Sequence, residues 1–412
     1  MNRWMLALSL LAPATFCGCA LPECTNPDYS QPECRVIAEN ELARLRTPSS
    51  LEVRFQQPDA VTPITWDARG LLKLEAGVVQ ARVAGAGRFA LSVQAEDGAP
   101  DAVAIELENV DPSADVWIER GELAIPVLPP QDGGLRRMVQ LDVAEDETIF
   151  LRGRRGCPER YRVAFVADIQ TNPAQFERIV EQLQRERDEG EIIGQPLVAI
   201  VIPGDLTEAS RDDEFDVIVE VLEASPVPVV VTPGNHDIYR PQQPHFNRRF
   251  GPGNHVSEVC DLRLVMLDTG SGAIARSVEA RLPELLSRGD AEHLIVAMHH
   301  PAYAGLTGAG WSREDRAQRL LAEAAIADVD LLVAGHAHAL RDFASISVGD
   351  ETLRQIVVGT GGAYQGLGEP RFGYVRVTLG PDGLDTCFVE VPPPGFDSAQ
   401  GQGLSDRLDY CD

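Results

Sequence analysis

Positive charge is scarce in this sequence of 412 residues. Lysine and arginine together number 36, against 63 acidic residues, which gives a formal net charge of −27 at pH 7. A chain with this excess of negative charge repels polyanions such as duplex nucleic acid at long range. We therefore expect no nucleic-acid partner.

Long apolar stretches are also absent beyond the N-terminus, and none approaches the 18 or so residues that span a bilayer. The first 19 residues resemble a bacterial lipoprotein signal: Arg3 precedes an apolar run at residues 5–12, and Gly18 precedes Cys19. Phe16 departs from the aliphatic residue usual at that position, which leaves ordinary cleavage nearby as an alternative. We expect export to the bacterial cell envelope, with membrane association only through a lipid on Cys19.

The sequence has no CxxC pair beside a histidine cluster, and this argues against cysteine as a metal ligand. Its cysteines are at positions 17, 19, 24, 34, 157, 260, 387 and 411. Without the first two, an even number remains in a chain that resembles exported proteins, which favours three disulfides of open connectivity. The close pair Cys24 and Cys34 is a candidate for one small loop.

No fixed-period repeat is visible, but the pattern changes along the chain. Residues 20–50 follow the signal and begin with a segment rich in proline, cysteine and asparagine, which predicts a linker. Residues 51–155 contain short alternating runs broken by turn residues, which predict an antiparallel β-sandwich with an accessory or docking role. The Pro/Gly-rich residues 394–412 are interpreted as a tail held by Cys411.

Residues 156–393 show a different pattern, in which apolar runs alternate with segments of helical periodicity. The predicted helices cover residues 176–183 and 215–222. The predicted strands cover residues 161–167, 197–202, 227–231, 262–267, 294–298, 331–334 and 355–358. Such alternation predicts an α/β fold whose parallel strands are covered by helices.

Metal-binding residue types follow the ends of these strands. They are Asp168, Asp205 after Gly204, Asn235, His236 and Asp237 after Gly234, His299 and His300, and His336 and His338 after Gly335. Ligands of open α/β sheets bind at this edge, where residues distant in sequence converge. Carboxylate, amide oxygen and imidazole together suit Zn²⁺, Mn²⁺ or Fe. A carboxylate that bridges two such ions supports hydrolysis, because the pair clamps a phosphoryl oxygen and acidifies a bound water.

These blocks, in this order, resemble the signature of the calcineurin-like metallophosphoesterases, and the resemblance covers roughly residues 160–390. It implies a sheet sandwich flanked by helices, two metal ions, and attack of a metal-bound hydroxide on a phosphomonoester or phosphodiester. By resemblance, Asp205 bridges the ions, Asp168 and His338 hold the first, and Asn235, His299 and His336 hold the second. His236 then protonates the leaving oxygen, and Asp237 orients His236.

The first block departs from the family, because Gln170 stands where most members have histidine. Its amide oxygen is a candidate ligand, although a poorer one than imidazole for a transition metal. The alternative hypothesis is therefore a non-catalytic binding or scaffolding lipoprotein whose site has decayed. Glu208 stands where purple acid phosphatases have a tyrosine, and we interpret it as a solvated carboxylate. His300 is left open between substrate contact and a structural role.

Overall fold

The computed structural model describes residues 24, 27–56, 69–95, 101–130, 133–305, 308–365, 370–395 and 408–411. The predicted signal at residues 1–19 lies outside the described residues. Among the helices that are described, none is both long and apolar enough to cross a membrane.

The N-terminal part is built from two sheets. Its elements are α1 (Pro32–Leu42), β1 (Arg44–Arg46), β2 (Leu51–Gln56), β3 (Gly70–Glu75), β4 (Val78–Val83), β5 (Phe89–Ala95), β6 (Asp101–Glu108), β7 (Asp115–Arg120), β8 (Leu123–Val127), β9 (Arg137–Val143) and β10 (Thr148–Arg154). The strand orders are β1-β2-β5-β10-β7-β8 and β3-β4-β6-β9. Apolar side chains from both sheets form one core, as the alternating runs predicted. The pairing is not purely antiparallel, since β4 and β6 run parallel.

The second part contains two six-stranded sheets with helices outside them. Its elements are β11 (Tyr161–Phe165), α2 (Pro173–Ile193), β12 (Leu197–Pro203), α3 (Asp212–Glu223), β13 (Val229–Thr232), a 3-10 turn (His236–Ile238), α4 (His245–Phe250), β14 (His255–Val259), β15 (Leu262–Leu267), α5 (Arg276–Glu279), α6 (Leu282–Leu285), β16 (His293–Met298), α7 (Glu314–Ile326), β17 (Leu331–Ala334), β18 (Leu340–Val348), β19 (Glu351–Val358), β20 (Gly373–Gly380), β21 (Gly383–Glu390) and β22 (Asp409–Tyr410).

The two sheets have the orders β13-β12-β11-β20-β21-β22 and β14-β15-β16-β17-β19-β18. Strands β11, β12 and β13 run parallel in the first sheet, as do β15, β16, β17 and β19 in the second. One apolar core lies between the sheets. A second core joins the first sheet to α2, α3 and α4, and a third joins the other sheet to α5, α6 and α7. The predicted α/β sandwich flanked by helices is therefore confirmed.

The expectation of a linker over residues 20–50 is wrong for most of its described part. Helix α1 begins at Pro32, a residue suited to the first helical turn because it needs no N–H partner there. Arg35 on this helix is 1% exposed and forms a bidentate ion pair with the buried Asp268, with N–O distances of 2.5 and 2.8 Å. The neighbouring Val36 is fully buried in the core of the second part. Helix α1 is thus an integral part of the folded body.

Three disulfides join the six cysteines that remain outside the predicted signal, as expected. Cys24 pairs with Cys34, Cys157 with Cys260, and Cys387 with Cys411. The last bond holds the chain end beside β21, where β22 adds a short parallel pairing.

Candidate metal centre

The metal-binding side chains converge where strands of the two sheets end. Asp168 follows β11, Asp205 follows β12 and Asn235 follows β13, all in the first sheet. His299 directly follows β16, and His336 and His338 follow β17 in the second sheet. The structure therefore places residues from both sheets around one centre, at the edge that the sequence pattern predicted.

Asp168, Asp205 and His299 form the most deeply buried part of this centre. One ligand atom from each of the three lies within 4.8 Å of the others. The Nδ1–H of His299 donates to the carbonyl of Pro203 at 3.0 Å. Its Nε2 lies 3.2 Å from Asp205 Oδ2 and 3.0 Å from Asn235 Oδ1. Carboxylate, amide oxygen and imidazole nitrogen thus meet at one point.

The two histidines after β17 complete the group. The Nδ1–H of His338 donates to the carbonyl of Tyr364 at 2.9 Å, and its Nε2 lies 3.8 Å from Asp168 Oδ1. The ring centroid of His336 is 5.1 Å from that of His299, in an edge-on arrangement. Backbone carbonyls therefore fix the orientation of His338 and His299, which is the usual way in which a protein aims an imidazole at a metal.

Gln170 belongs to the same group. Its side chain is 6% exposed, and its amide is hydrogen-bonded to Oδ2 of Asp205. The structure therefore places this residue against the carboxylate that the resemblance assigns to both ions.

Five of these residues have backbone conformations that side chains rarely adopt. The φ angles are +61° for Asp168, +32° for Gln170, +56° for Asp205, +70° for His336 and +43° for His338. Each left-handed residue costs on the order of 1–3 kcal/mol unless its surroundings impose it, and such strain concentrates at functional sites. Here the surroundings include the Asp205 carbonyl, which accepts from the N–H groups of Ile169 and Gln170.

Two observations show that the centre suits a cation. Oδ2 of the fully buried Asp168 has no hydrogen-bond partner among the described residues. A buried carboxylate oxygen without a partner is costly unless a cation satisfies it. Two glycines leave space next to the same oxygen. A Cβ at Gly359 would lie 2.6 Å from Oδ2 of Asp168, and a Cβ at Gly335 would lie 3.1 Å from it. The nitrogen and oxygen donors present suit Zn²⁺, Mn²⁺ or Fe.

The charges at the centre are strongly coupled. Burial raises the pKa of Asp168 to about 6. Burial also acts to raise the pKa of Asp205, but the charge and hydrogen bond of His299 outweigh it and lower that pKa to about 2. Burial acts to lower the pKa of His299, but the neighbouring Asp205 and Asp168 raise it to about 9. Without metal, His299 is therefore an imidazolium paired with Asp205 at neutral pH.

His236 lies beside the centre with a fixed orientation. Its backbone N–H donates to Asp205 Oδ1 at 2.9 Å, and its Nδ1–H donates to the carbonyl of Glu208 at 2.6 Å. The carboxylate of Glu208 lies 3.6 Å from the same nitrogen. Nε2 is therefore the nitrogen of His236 that is left for a substrate.

The expected role of Asp237 in orienting His236 is wrong. Its carboxylate, 1% exposed, accepts instead from the backbone N–H groups of Gly234, Leu206 and Thr207. It thereby joins the loops after β12 and β13. The group that orients His236 is the backbone carbonyl of Glu208, and the carboxylate of Glu208 is about half exposed, in keeping with its interpretation as a solvated group. Its position three residues after Asp205 is the only signal in the sequence that could have indicated this contact.

His300 is buried rather than open to substrate, at 7% exposure. Its ring stacks on that of His336 with centroids 4.0 Å apart, and its backbone N–H donates to Thr269 Oγ1. One ligand atom from each of His299, His300 and His336 lies within 4.8 Å of the others. Of the two readings that the sequence left open, the geometry favours a part in holding His336.

A family model matches most of the second part. Residues 161–340 match the family model described as calcineurin-like phosphoesterase. No curated protein matches the sequence. Among solved structures, a purple acid phosphatase from yellow lupin (Lupinus luteus) seeds is similar at 12% identity and a TM-score of 0.47, over 74% of this chain and 70% of that one.

Two further structures resemble the chain. PhoD is similar at 11% identity and a TM-score of 0.46, over 75% of this chain and 85% of that one. A dimetal phosphatase from Danio rerio is similar at 15% identity and a TM-score of 0.42, over 56% of this chain and 95% of that one.

Proposed function

We propose that this chain, whose residues 161–340 match the family model of the calcineurin-like phosphoesterases, hydrolyses phosphate esters with two bound metal ions. The observation that carries the proposal is the convergence of two buried carboxylates with imidazoles from the opposite sheet, around a carboxylate oxygen that has no partner among the described residues. Burying such a group of charged side chains costs free energy that a purely structural role does not recover. A role in binding cations explains it.

The positions of the side chains support one division of ligands between two ions. Oδ2 of Asp205 is in contact with both Nε2 of His299 and the amide of Gln170, so this carboxylate is placed where it would serve both ions. Asp168, His338 and Gln170 would hold the first ion, and Asn235, His299 and His336 the second. When bound, such ions polarise the phosphoryl group and make a bound water acidic enough to act at neutral pH.

The protein itself contributes a positioned proton donor. Because Nδ1 of His236 is engaged by the Glu208 carbonyl, the proton available to a leaving alcohol is on Nε2 of the imidazolium. The Glu208 carboxylate lies 3.6 Å from Nδ1 of His236. Asp237 keeps the loop that carries His236 against the loop that carries Asp205, through three hydrogen bonds from Leu206 and Thr207.

The substrate in this proposal is a small or exposed phosphomonoester or phosphodiester outside the cytoplasm, and not a nucleic acid. Three disulfides favour an oxidising compartment. Lipidation of Cys19 and a location at the cell envelope are parts of the proposal that rest on the sequence of the first 19 residues.

The test is hydrolysis of p-nitrophenyl phosphate and bis-p-nitrophenyl phosphate by metal-stripped protein reloaded separately with Mn²⁺, Zn²⁺ or Fe²⁺. We expect activity to return with metal, and the preferred ester distinguishes a monoesterase from a diesterase. A folded protein that binds less than one ion per chain at this centre and stays inactive would instead support a decayed, non-catalytic site.

His236→Ala separates proton donation from metal binding. We expect turnover to fall about 10²–10⁴-fold with unchanged metal content, because no nitrogen of His236 is assigned to an ion. The matched control is His245→Ala, since the Nδ1 of His245 contacts Asp212 outside the centre. Full activity in His236→Ala would refute the assigned role.

A further inference from the structure

A second group of side chains of the types that bind metals lies at the start of β16, the end of that strand opposite to His299. Asp261 precedes β15, and Glu292 and His293 lie where β16 begins. One ligand atom from each of the three lies within 4.8 Å of the others. His293 and His299 are separated by the length of β16, and at about 3.3 Å per strand residue the two groups are about 20 Å apart.

The histidine of this group is buried without a partner. His293 is 5% exposed, and its Nε2 has no hydrogen-bond partner among the described residues. Its position is fixed, because its backbone N–H donates to the Asp261 carbonyl at 3.1 Å and Leu262 lies opposite it across the β15–β16 pair. A buried polar atom left unpaired is unfavourable by about 1–3 kcal/mol. A ligand for this nitrogen would remove that cost.

Arg288 is the cation near the two carboxylates beside this histidine, but it donates to the backbone carbonyl of Glu292 and pairs with Asp330. Asp261 accepts a hydrogen bond from the hydroxyl of the fully buried Tyr161, which occupies Oδ1 and leaves Oδ2 free of that contact. Within the described part of the chain, no lysine or arginine forms an ion pair with the side chain of Asp261 or Glu292. Two carboxylates close to each other and to an unpaired imidazole form an arrangement that a cation would stabilise.

We propose that Asp261, Glu292 and His293 form a third cation site, separate from the catalytic centre, which takes a Zn²⁺ ion. One imidazole nitrogen and two carboxylate oxygens provide three ligands for tetrahedral zinc, and water completes the set. Calcium fits less well, because it prefers oxygen ligands only. The hydroxyl of Tyr161 on β11 donates to Asp261 beside β15, so an ion held by Asp261 would stabilise the residue that this hydrogen bond links to the first sheet, next to the Cys157–Cys260 disulfide.

The test is the zinc content of the full chain after saturation with Zn²⁺ and dialysis, measured by inductively coupled plasma mass spectrometry. The variants are Glu292→Gln, which changes an exposed side chain, and Asp261→Asn, with Glu122→Gln as the control on an exposed turn of the N-terminal part. We expect each of the first two to contain one ion fewer per chain than the wild type and the control. Hydrolysis of p-nitrophenyl phosphate, where present, should be unchanged.

Because the test compares variants, it does not depend on how many ions the catalytic centre holds or on whether the protein is an enzyme. Melting temperatures provide a second readout: added Zn²⁺ should raise that of the wild type more than that of Glu292→Gln. Equal zinc contents in the wild type, Glu292→Gln and Asp261→Asn, all folded, would overturn the proposal.

Discussion

Replacement of Gly234 by alanine is a test of how closely the loop after β13 fits the bridging carboxylate. A Cβ at this position would overlap with the backbone nitrogen and Oδ1 of Asp205 and lie 2.7 Å from its Cγ. The φ angle of Gly234 is not in the left-handed range. Alanine is therefore acceptable to the backbone itself, and any effect comes from the lack of space.

The size of the effect follows from that overlap. Ordinary carbon–carbon contacts begin near 3.5 Å, which means that Asp205 and the loop must separate by about 1 Å. A displacement of about 1 Å at a reacting centre can cost about 10²-fold in rate. We expect kcat/KM to fall by about that factor and metal affinity to weaken, because Oδ1 and Oδ2 of Asp205 move together away from His236 and His299.

The assay is hydrolysis of p-nitrophenyl phosphate over a titration of Mn²⁺ or Zn²⁺, with circular dichroism to show that the variant is folded. Gly156→Ala is the control, because a Cβ there would meet nothing within 4 Å. If folded Gly234→Ala kept activity and metal affinity within twofold of Gly156→Ala, the inferred bridging position of Asp205 would be wrong.

Two further predictions concern protonation and stability. The pKa of His299 is about 9 without metal, above the usual 6.5, so a metal must displace a proton from its Nε2. The apparent metal affinity should therefore rise about tenfold per pH unit from pH 7 to 9 and then level off. An affinity that does not change with pH in isothermal titrations would contradict this prediction. Arg35→Ala leaves Asp268 buried without its partner and should lower the free energy of unfolding by about 3–5 kcal/mol in urea titrations. The exposed Arg44→Ala should lose less than about 1 kcal/mol, and equal losses would argue against the ion pair.

The sequence was informative where local pattern decides structure. Fully apolar runs such as residues 197–202 can only be buried on both faces, and they are strands of the sandwich. Glycine followed by a carboxylate or histidine at the end of such a run, as at Gly204 and Gly335, indicated the ligand positions. The carboxyl ends of neighbouring strands meet in space whatever the details of the loops.

The sequence was uninformative where a contact depends on the path of a loop. Nδ1 of His236 contacts the backbone carbonyl of Glu208, whereas the adjacent Asp237 accepts from backbone N–H groups of both loops, and adjacency in sequence does not reveal either contact. Helix α1 was missed because its stability comes from contacts that are distant in sequence, such as that between Arg35 and Asp268. Its own amphipathic pattern is weak.

Of the seven residues proposed to hold the ions, four follow strands of the first sheet and three follow strands of the second, and these two sheets are not paired with each other. The side chains between those sheets, such as Val201, Ala297 and Val333, therefore act as a spacer that sets how far Asp205 lies from His299 and His336. The geometry of the candidate metal centre therefore depends on an apolar layer that is itself buried. A change of side-chain volume in that layer would alter the distances between the candidate ligands even though none of the altered residues belongs to the centre.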